Sequence, residues 1–111
     1  PVGVCFSGGI DSGAVFLLAY HALLTRGDSP ARLKAFTLAV DGGGPDLDQA
    51  RDFLGRLGLE LFLEPIPVRA ADIAVEDAIR VIEDYKPLDV QSGAMALALC
   101  RGVRARYPDW R

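Results

Sequence analysis

The sequence predicts an α/β fold, in which a parallel sheet carries helices on both faces and forms a three-layer domain. Strand-like and helix-like segments alternate along the chain, as in repeated strand–helix–strand units. Val2–Phe6 is an uninterrupted apolar run typical of a central parallel strand, and a glycine turn and an apolar helical segment, Gly13–Arg26, follow it. Because the chain has 111 residues and room for one core, we expect a single domain over residues 1–111.

The first helical segment is apolar nearly all round, which predicts a buried helix that ends near Gly27. The second strand is Leu33–Val40, whose residues suit a pleated surface. An amphipathic helix follows it, with Asp46 and Gln49 spaced as in a capping box, and this helix ends at Gly58.

A third strand is predicted over 60–64, because Pro65 and Pro67 should bound it. A third helix is expected after a cap at Asp72, and a fourth over 90–106. In such a sheet, ligands bind beyond the carboxyl ends of the strands. The loop after the first strand is therefore the candidate site.

That loop has the composition of an anion-binding turn. Gly8 and Gly9 leave backbone N–H groups free of side chains, and the helix that follows adds the positive end of its dipole. Ser7 and Ser12 can donate hydroxyl hydrogen bonds to phosphate oxygens. Asp11 would repel a bare phosphate, so its presence predicts a magnesium ion between the carboxylate and the phosphates. The loop therefore predicts a polyphosphate site with Asp11 as the metal ligand.

The loop does not have the spacing of the two common nucleotide motifs. No lysine follows the glycines as in the P-loop, and the glycines are not spaced as in the dinucleotide fingerprint. The letters SGGIDS, following GVCF, do match the S-G-G-x-D-S signature, and here the chain resembles the N-type ATP pyrophosphatase (PP-loop) superfamily. The segment that begins at Leu33, LKAFTLAVDGGGPDLDQARDFLGRLG, and the segment Glu76–Leu97 are similar to its asparagine synthetase and beta-lactam synthetase branch.

This resemblance implies a Rossmann-like fold of the adenine nucleotide alpha hydrolase type, and ATP and Mg²⁺ as cofactors. Residues implied to hold the polyphosphate are Ser7, Gly8, Gly9, Asp11 and Ser12, with Asp11 also on the metal. Cys5 and Leu38, at the ends of the first two strands, would border the adenine, although an ordinary core role is an equal alternative for both. The implied reaction adenylates a small-molecule carboxylate and releases pyrophosphate. An amine or ammonia then displaces AMP and an amide forms.

The resemblance also implies parts that the chain does not contain. The branch carries a second acidic, glycine-rich loop on the next strand, about where this chain ends at Arg111. We therefore expect a partial synthetase domain that is inactive alone, although the parent protein would be an enzyme. We further expect an exposed edge on the first strand, through which copies could self-associate. Two alternatives remain: another PP-loop enzyme, as in tRNA thiolation or NAD or GMP synthesis, and a non-catalytic nucleotide-binding domain.

Charge argues against nucleic acid as a partner. Fifteen acidic and twelve basic residues leave a net charge of −3, so no broad positive surface is available for a phosphate backbone. The local basic stretch near the end of the chain is expected to form helix-end and solvated contacts; it consists of Arg101, Arg104, Arg106 and Arg111.

Cysteine content and hydropathy indicate the compartment. Cys5 and Cys100 are too few for a disulfide scaffold, and each lies in an apolar run where cysteine behaves as a small hydrophobe. The longest apolar run, Ala14–Leu24, is too short to span a bilayer. A cytoplasmic protein without a membrane role is therefore predicted.

Overall fold

The protein is an α/β domain built on a three-stranded parallel sheet, as a computed structural model that describes residues 1–110 shows. The strands are β1 (Val2–Cys5), β2 (Leu33–Val40) and β3 (Leu63–Val68), and they pair in the order β1-β2-β3. Both pairs are parallel. Each crossover contains a helix, as parallel neighbours require.

Helices cover both faces of this sheet. The helices are α1 (Ile10–Thr25), α2 (Pro45–Arg56), α3 (Val75–Ile82) and α4 (Pro87–Arg106). The two crossover helices α1 and α2 pack on one face, whereas α4 packs against β2 and β3 on the other and carries α3 on its surface. The predicted three-layer, Rossmann-like α/β fold is therefore confirmed.

Successive side chains of β2 point to opposite faces of the sheet and belong to two separate clusters of the core. Ala35 belongs to the cluster under α1 and α2, whereas Phe36 and Leu38 belong to the cluster under α4. This alternation follows from the two-residue period of a strand. Because both faces are covered, β2 is buried along most of its length, as its apolar sequence predicts.

The predicted boundaries of the third strand were wrong. The strand begins at Leu63 and contains both prolines. The carbonyl of Val68 accepts a hydrogen bond from the N–H of Asp41 at 2.9 Å, so Val68 faces β2 and alternate residues do likewise. Pro65 and Pro67 then face the outer edge, where no N–H donor is needed. Residues 60–62, which were predicted to begin the strand, form a short 3-10 helix.

Both predicted helix caps were also wrong. At α2 the N-cap is Gly44, with Pro45 at the first helical position, and no side chain caps the helix. At α3 the N-cap is Ala74, and Asp72 instead pairs with Arg69 at 2.7 Å. The local sequence pattern was compatible with a cap in each case, but the backbone enters the helix elsewhere. The fourth helix was predicted with its correct end, and it begins three residues before the predicted start, at Pro87.

The prediction that α1 is a buried helix was wrong. Only Gly13 and Phe16 of this helix are buried, whereas Ile10 is 84% exposed and Leu18 is 69% exposed. The helix lies on the outside of one sheet layer, so only one of its sides is covered in residues 1–110. An all-round apolar sequence therefore leaves an apolar surface on α1.

The edge of β1 matches the predicted exposed edge. Within residues 1–110, β1 pairs with β2 alone, and Val2 and Cys5 are exposed. Self-association through this edge stays a prediction. No helix among the described residues is both long and apolar enough to pass through a bilayer.

Candidate functional site

The loop between β1 and α1 is held by its own serines. The hydroxyl of Ser12 accepts a hydrogen bond from the backbone N–H of Ser7 at 3.3 Å and donates one to the carbonyl of Gly9 at 3.2 Å. The two serine hydroxyl oxygens are 3.3 Å apart, and the N–H of Gly9 donates to the Ser7 hydroxyl at 3.4 Å. The side chains predicted to contact phosphate thus also shape the turn that would receive it.

Helix α2 supports this loop from below. Gly8 has a φ of +78°, which favours glycine, and a Cβ atom there would lie 2.5 Å from the backbone nitrogen of Ala50. The side-chain amide of Gln49 donates to the Gly8 carbonyl at 3.3 Å. Gln49, predicted as part of a capping box, therefore braces the loop instead. The contact is tight enough to make glycine necessary at position 8.

The loop leads directly into the first turn of α1. Helix N-termini leave their first N–H groups without intrahelical partners, so these groups and the positive end of the helix dipole meet at the loop. Asp11 lies in this first turn of α1 and is exposed. The residues predicted to bind polyphosphate are thus adjacent, on one turn at the carboxyl end of β1.

Metal binding at Asp11 would depend on the ligand. Among residues 1–110, no group of three or more His, Cys, Asp and Glu side chains is arranged to hold a metal ion. Mg²⁺ commonly takes one or two protein carboxylates and completes its shell with phosphate oxygens and water. A single exposed carboxylate beside a turn that is predicted to bind phosphate fits that mode and does not fit a preformed metal site.

A cavity of about 160 Å³ opens beside the loop at the carboxyl ends of β1 and β2. It brings together the two residues predicted to border adenine, Cys5 and Leu38, and the first loop serine, Ser7. The remaining lining residues are Phe6, Thr37, Asp46, Met95, Ala96 and Leu99. Small-molecule sites are usually mostly apolar with a few convergent polar groups, and they measure about 300–1,000 Å³, so this smaller cavity could take only part of a nucleotide.

The strands end unevenly above this cavity. The last β1 residue, Cys5, is in register with Phe36, whereas β2 continues to Val40. The carbonyl of Phe36 accepts from the N–H of Phe6 at 2.7 Å, so Phe36 faces β1. Leu38, two residues further on, has its N–H and C=O directed to the same side, beyond the end of β1. A flat base there would find backbone hydrogen-bonding groups and the apolar Leu38 side chain together.

Cys5 is not a core residue, contrary to the small-hydrophobe interpretation, since both Cys5 and Cys100 are exposed. Leu38 is buried, with 9% of its surface exposed. Burial of part of the Cys5 side chain raises the pKa of its thiol, and the nearby Cys100 acts in the same direction. The thiol is therefore held in its neutral form, which argues against a nucleophilic role for Cys5.

Three lining residues of this cavity carried no functional signal in the sequence. They are Met95, Thr37 and Asp46, of which Asp46 was predicted only as a helix cap and Thr37 lies within the predicted second strand. Met95 and Thr37 reach the cavity only because α4 and β2 meet there. Asp46 could have been suspected, because it begins the helix that follows β2 at the ligand-binding end of the sheet.

A larger cavity, of about 570 Å³, lies between the end of β3 and α4 and contains none of the predicted site residues. Its two arginines are already paired: Arg69 with Asp72 at 2.7 Å, and Arg101 with Asp77 at 2.9 Å. We therefore place the candidate site at the loop, which carries the site residues predicted from the sequence and adjoins the smaller cavity.

Two arginines of the basic stretch of α4 form ion pairs with neighbouring elements, in place of the helix-end and solvated contacts that were expected. Arg101 pairs with Asp77 from α3, Arg106 pairs with Glu64 at 2.7 Å, and Arg104 donates to the Trp110 carbonyl at 3.2 Å. Arg111 lies outside the described residues. These three arginine side chains are therefore bound to groups of the same domain.

Comparison with known proteins identifies the family. The profile of one family, described as asparagine synthase, matches residues 1–107. No curated protein and no solved structure matched the chain in parallel comparisons. The family match covers the loop, the bracing helix α2, all three strands and helix α4, and so includes every element of the candidate site. The chain belongs to the asparagine synthase family.

Proposed function

We propose that this chain is the ATP-binding part of an asparagine-synthetase-like ligase. The ligase would join the carboxylate of a small molecule to the α-phosphate of ATP, release pyrophosphate, and form an amide when an amine or ammonia displaces AMP. Membership of the asparagine synthase family supports the ligase class. A cytoplasmic location belongs to the same proposal.

One observation supports ATP most directly. The S-G-G-x-D-S loop stands at the junction of β1 and α1, beside a cavity that contains both predicted adenine neighbours. The cavity can take the base, while the loop and the helix N-terminus can take the phosphates. A single nucleoside triphosphate would therefore occupy both parts of the site.

The residues of the loop would act by electrostatics and positioning. Negative charge accumulates on pyrophosphate as the α-phosphate is attacked, and fixed N–H dipoles aimed at that charge lower the barrier. The close contact of Gly8 with α2 and the hydrogen bonds of Ser7 and Ser12 hold the turn in place before ATP binds. Less reorganisation is then required during the reaction.

Asp11 would hold Mg²⁺ against the phosphate oxygens. The ion, when bound, would supply positive charge that offsets the charge of the departing pyrophosphate. Asp11 is exposed in the first turn of α1 and makes no ion pair within residues 1–110. Its carboxylate is therefore free to take this role.

The test is exchange of labelled pyrophosphate into ATP by the full-length protein, measured with a panel of small carboxylates. We expect carboxylate-dependent exchange. The substitution Asp11→Asn should lower it by on the order of 100-fold, the scale of losing one transition-state contact. Asp48→Asn is the matched control, because Asp48 is also an exposed acid in the first turn of a helix.

Two results would contradict this proposal. Unchanged exchange in the Asp11→Asn protein would refute the magnesium role of that residue. ATP binding without exchange for any carboxylate would instead favour a non-catalytic nucleotide-binding domain.

A further inference from the structure

The peptide unit between Gly8 and Gly9 is the part of the loop with the least steric restriction on its rotation. Glycine on both sides leaves the torsion angles that flank this unit free of side chains. The unit is trans and planar, so its carbonyl and its N–H point in opposite directions. Half a turn of this unit would therefore present a carbonyl oxygen where an N–H group stood. A phosphate is attracted by the N–H group and repelled by the carbonyl oxygen.

Two hydrogen bonds hold this peptide unit in one orientation. The N–H of Gly9 donates to the hydroxyl of Ser7 at 3.4 Å, so it points toward the loop serines that are predicted to contact phosphate. The carbonyl of Gly8 accepts from the side-chain amide of Gln49 at 3.3 Å, so it points toward α2. The first hydrogen bond uses a hydroxyl that is itself predicted to bind the ligand. The second comes from outside the loop and would persist when the ligand binds.

Helix α2 is a firm support for the Gln49 side chain. A Cβ atom on Gly8 would lie 2.5 Å from the backbone nitrogen of Ala50 and 2.6 Å from the backbone carbonyl carbon of Gln49, so the backbone of α2 lies directly against the loop. Gln49 is itself an exposed residue. Its amide can therefore be replaced without leaving a hole in the core.

We propose that Gln49 is a positioning residue for the polyphosphate of ATP. Its amide holds the Gly8 carbonyl toward α2, and this keeps the Gly9 N–H directed to the side of the loop where the phosphates would bind. Gln49 acts only through the Gly8–Gly9 peptide unit, and ligand contacts belong to the loop. This inference rests on the proposed ATP site.

The experiment measures affinities calorimetrically for the full-length protein with Mg²⁺ present, and the ligands are ATP, inorganic pyrophosphate and AMP. Gln49→Met has an unbranched side chain of similar length without an N–H donor. We expect it to bind ATP and pyrophosphate about 3- to 10-fold more weakly, the range for one lost hydrogen bond. AMP lacks the two phosphates that the loop would hold, so its affinity should be unchanged.

Two further variants separate positioning from other effects. Gln91→Met is the matched control, because Gln91 is an exposed glutamine on α4, which packs on the opposite face of the sheet from α2. It should bind all three ligands as the unmodified protein does. Gln49→Glu keeps the shape of the side chain but offers only acceptors when it is ionised. It should weaken ATP and pyrophosphate at least as much as Gln49→Met, and AMP, itself an anion, controls for the added charge.

Three results would count against the inference in different ways. Unchanged ATP affinity in Gln49→Met would overturn the positioning role. Equal weakening of ATP and AMP would also overturn it, because a general loss of structure affects every ligand, and a lower melting temperature would accompany that loss. If the unmodified protein binds neither ATP nor pyrophosphate, the proposed function itself fails, and that result is distinct from a failure at Gln49.

Discussion

Replacing Gly8 by alanine tests whether α2 fixes the loop between β1 and α1. Two costs add in this variant. A residue with a side chain at φ +78° costs about 1–2 kcal/mol. Its Cβ would also lie 2.5 Å from the nitrogen and 2.8 Å from the Cα of Ala50, and relieving such a contact costs about 1–3 kcal/mol. The backbone of a helix cannot rotate away as a side chain can. We therefore expect Gly8→Ala to lose about 2–5 kcal/mol of the roughly 5–15 kcal/mol that stabilises a domain.

Gly58→Ala is the matched control for this variant. Gly58 also has a positive φ, +68°, but a Cβ there would have no heavy atom within 4 Å. Only the backbone term of about 1–2 kcal/mol then applies. Urea unfolding followed by far-UV circular dichroism measures both variants. The Gly8→Ala midpoint should lie about 1 M below that of Gly58→Ala, given slopes of about 1–3 kcal/mol per M. Equal midpoints would refute the claim that α2 constrains the loop.

Three further outcomes follow from the structure. Glu64→Gln should lower the free energy of unfolding in urea by about 1–2 kcal/mol. The Glu64 side chain is only 14% exposed and pairs with Lys34 at 3.1 Å and with Arg106 at 2.7 Å. An unchanged midpoint would contradict this. Burial acts to lower the pKa of Lys34, but the hydrogen bond and the negative charge of Glu64 outweigh burial and raise that pKa. The stability that Lys34→Met removes should therefore be present below pH 10.5 and be lost as the pH rises above it. ATP should slow the labelling of Cys5 by iodoacetamide but not that of Cys100, because only Cys5 lines the site cavity. Mass spectrometry measures both labelling rates. Equal protection of the two cysteines would count against that cavity as the nucleotide site.

Much of the fold could be predicted because local and global signals agree. The apolar run before Ser7, the double glycine after it and the helical segment beyond predict a strand, a turn and a helix, and the structure contains these elements in that order. The alternation of strands and helices then predicts a parallel sheet with little ambiguity. The boundaries of β3 were predicted wrongly, because a proline excludes a strand only where its missing N–H would face a neighbouring strand. Which side Pro65 and Pro67 face is decided by pairing with β2, and no local pattern reveals it.

The candidate site divides in the same way. The loop residues Ser7–Ser12 are recognisable from the chain alone, because their chemistry and their spacing coincide in a single segment. Gln49, which contacts Gly8, and Thr37, which lines the cavity, lie many residues away from the loop along the chain. They become neighbours only when β2 and α2 pack beside β1. Sequence therefore predicts the groups that would bind phosphate, and the structure adds those that hold the turn and shape the cavity.

The two edges of the sheet differ in what they can bind. Pro65 and Pro67 remove N–H donors from the outer edge of β3, and a strand added there would lack hydrogen bonds at both positions. Every residue of β1 after Pro1 keeps its N–H, and β1 pairs on one side only within residues 1–110. Any strand that extends this sheet should therefore join at β1, whether it belongs to the same polypeptide or to a second copy. A strand that joins parallel to β1 would end beside the loop that follows β1, and would add residues to the proposed ATP site.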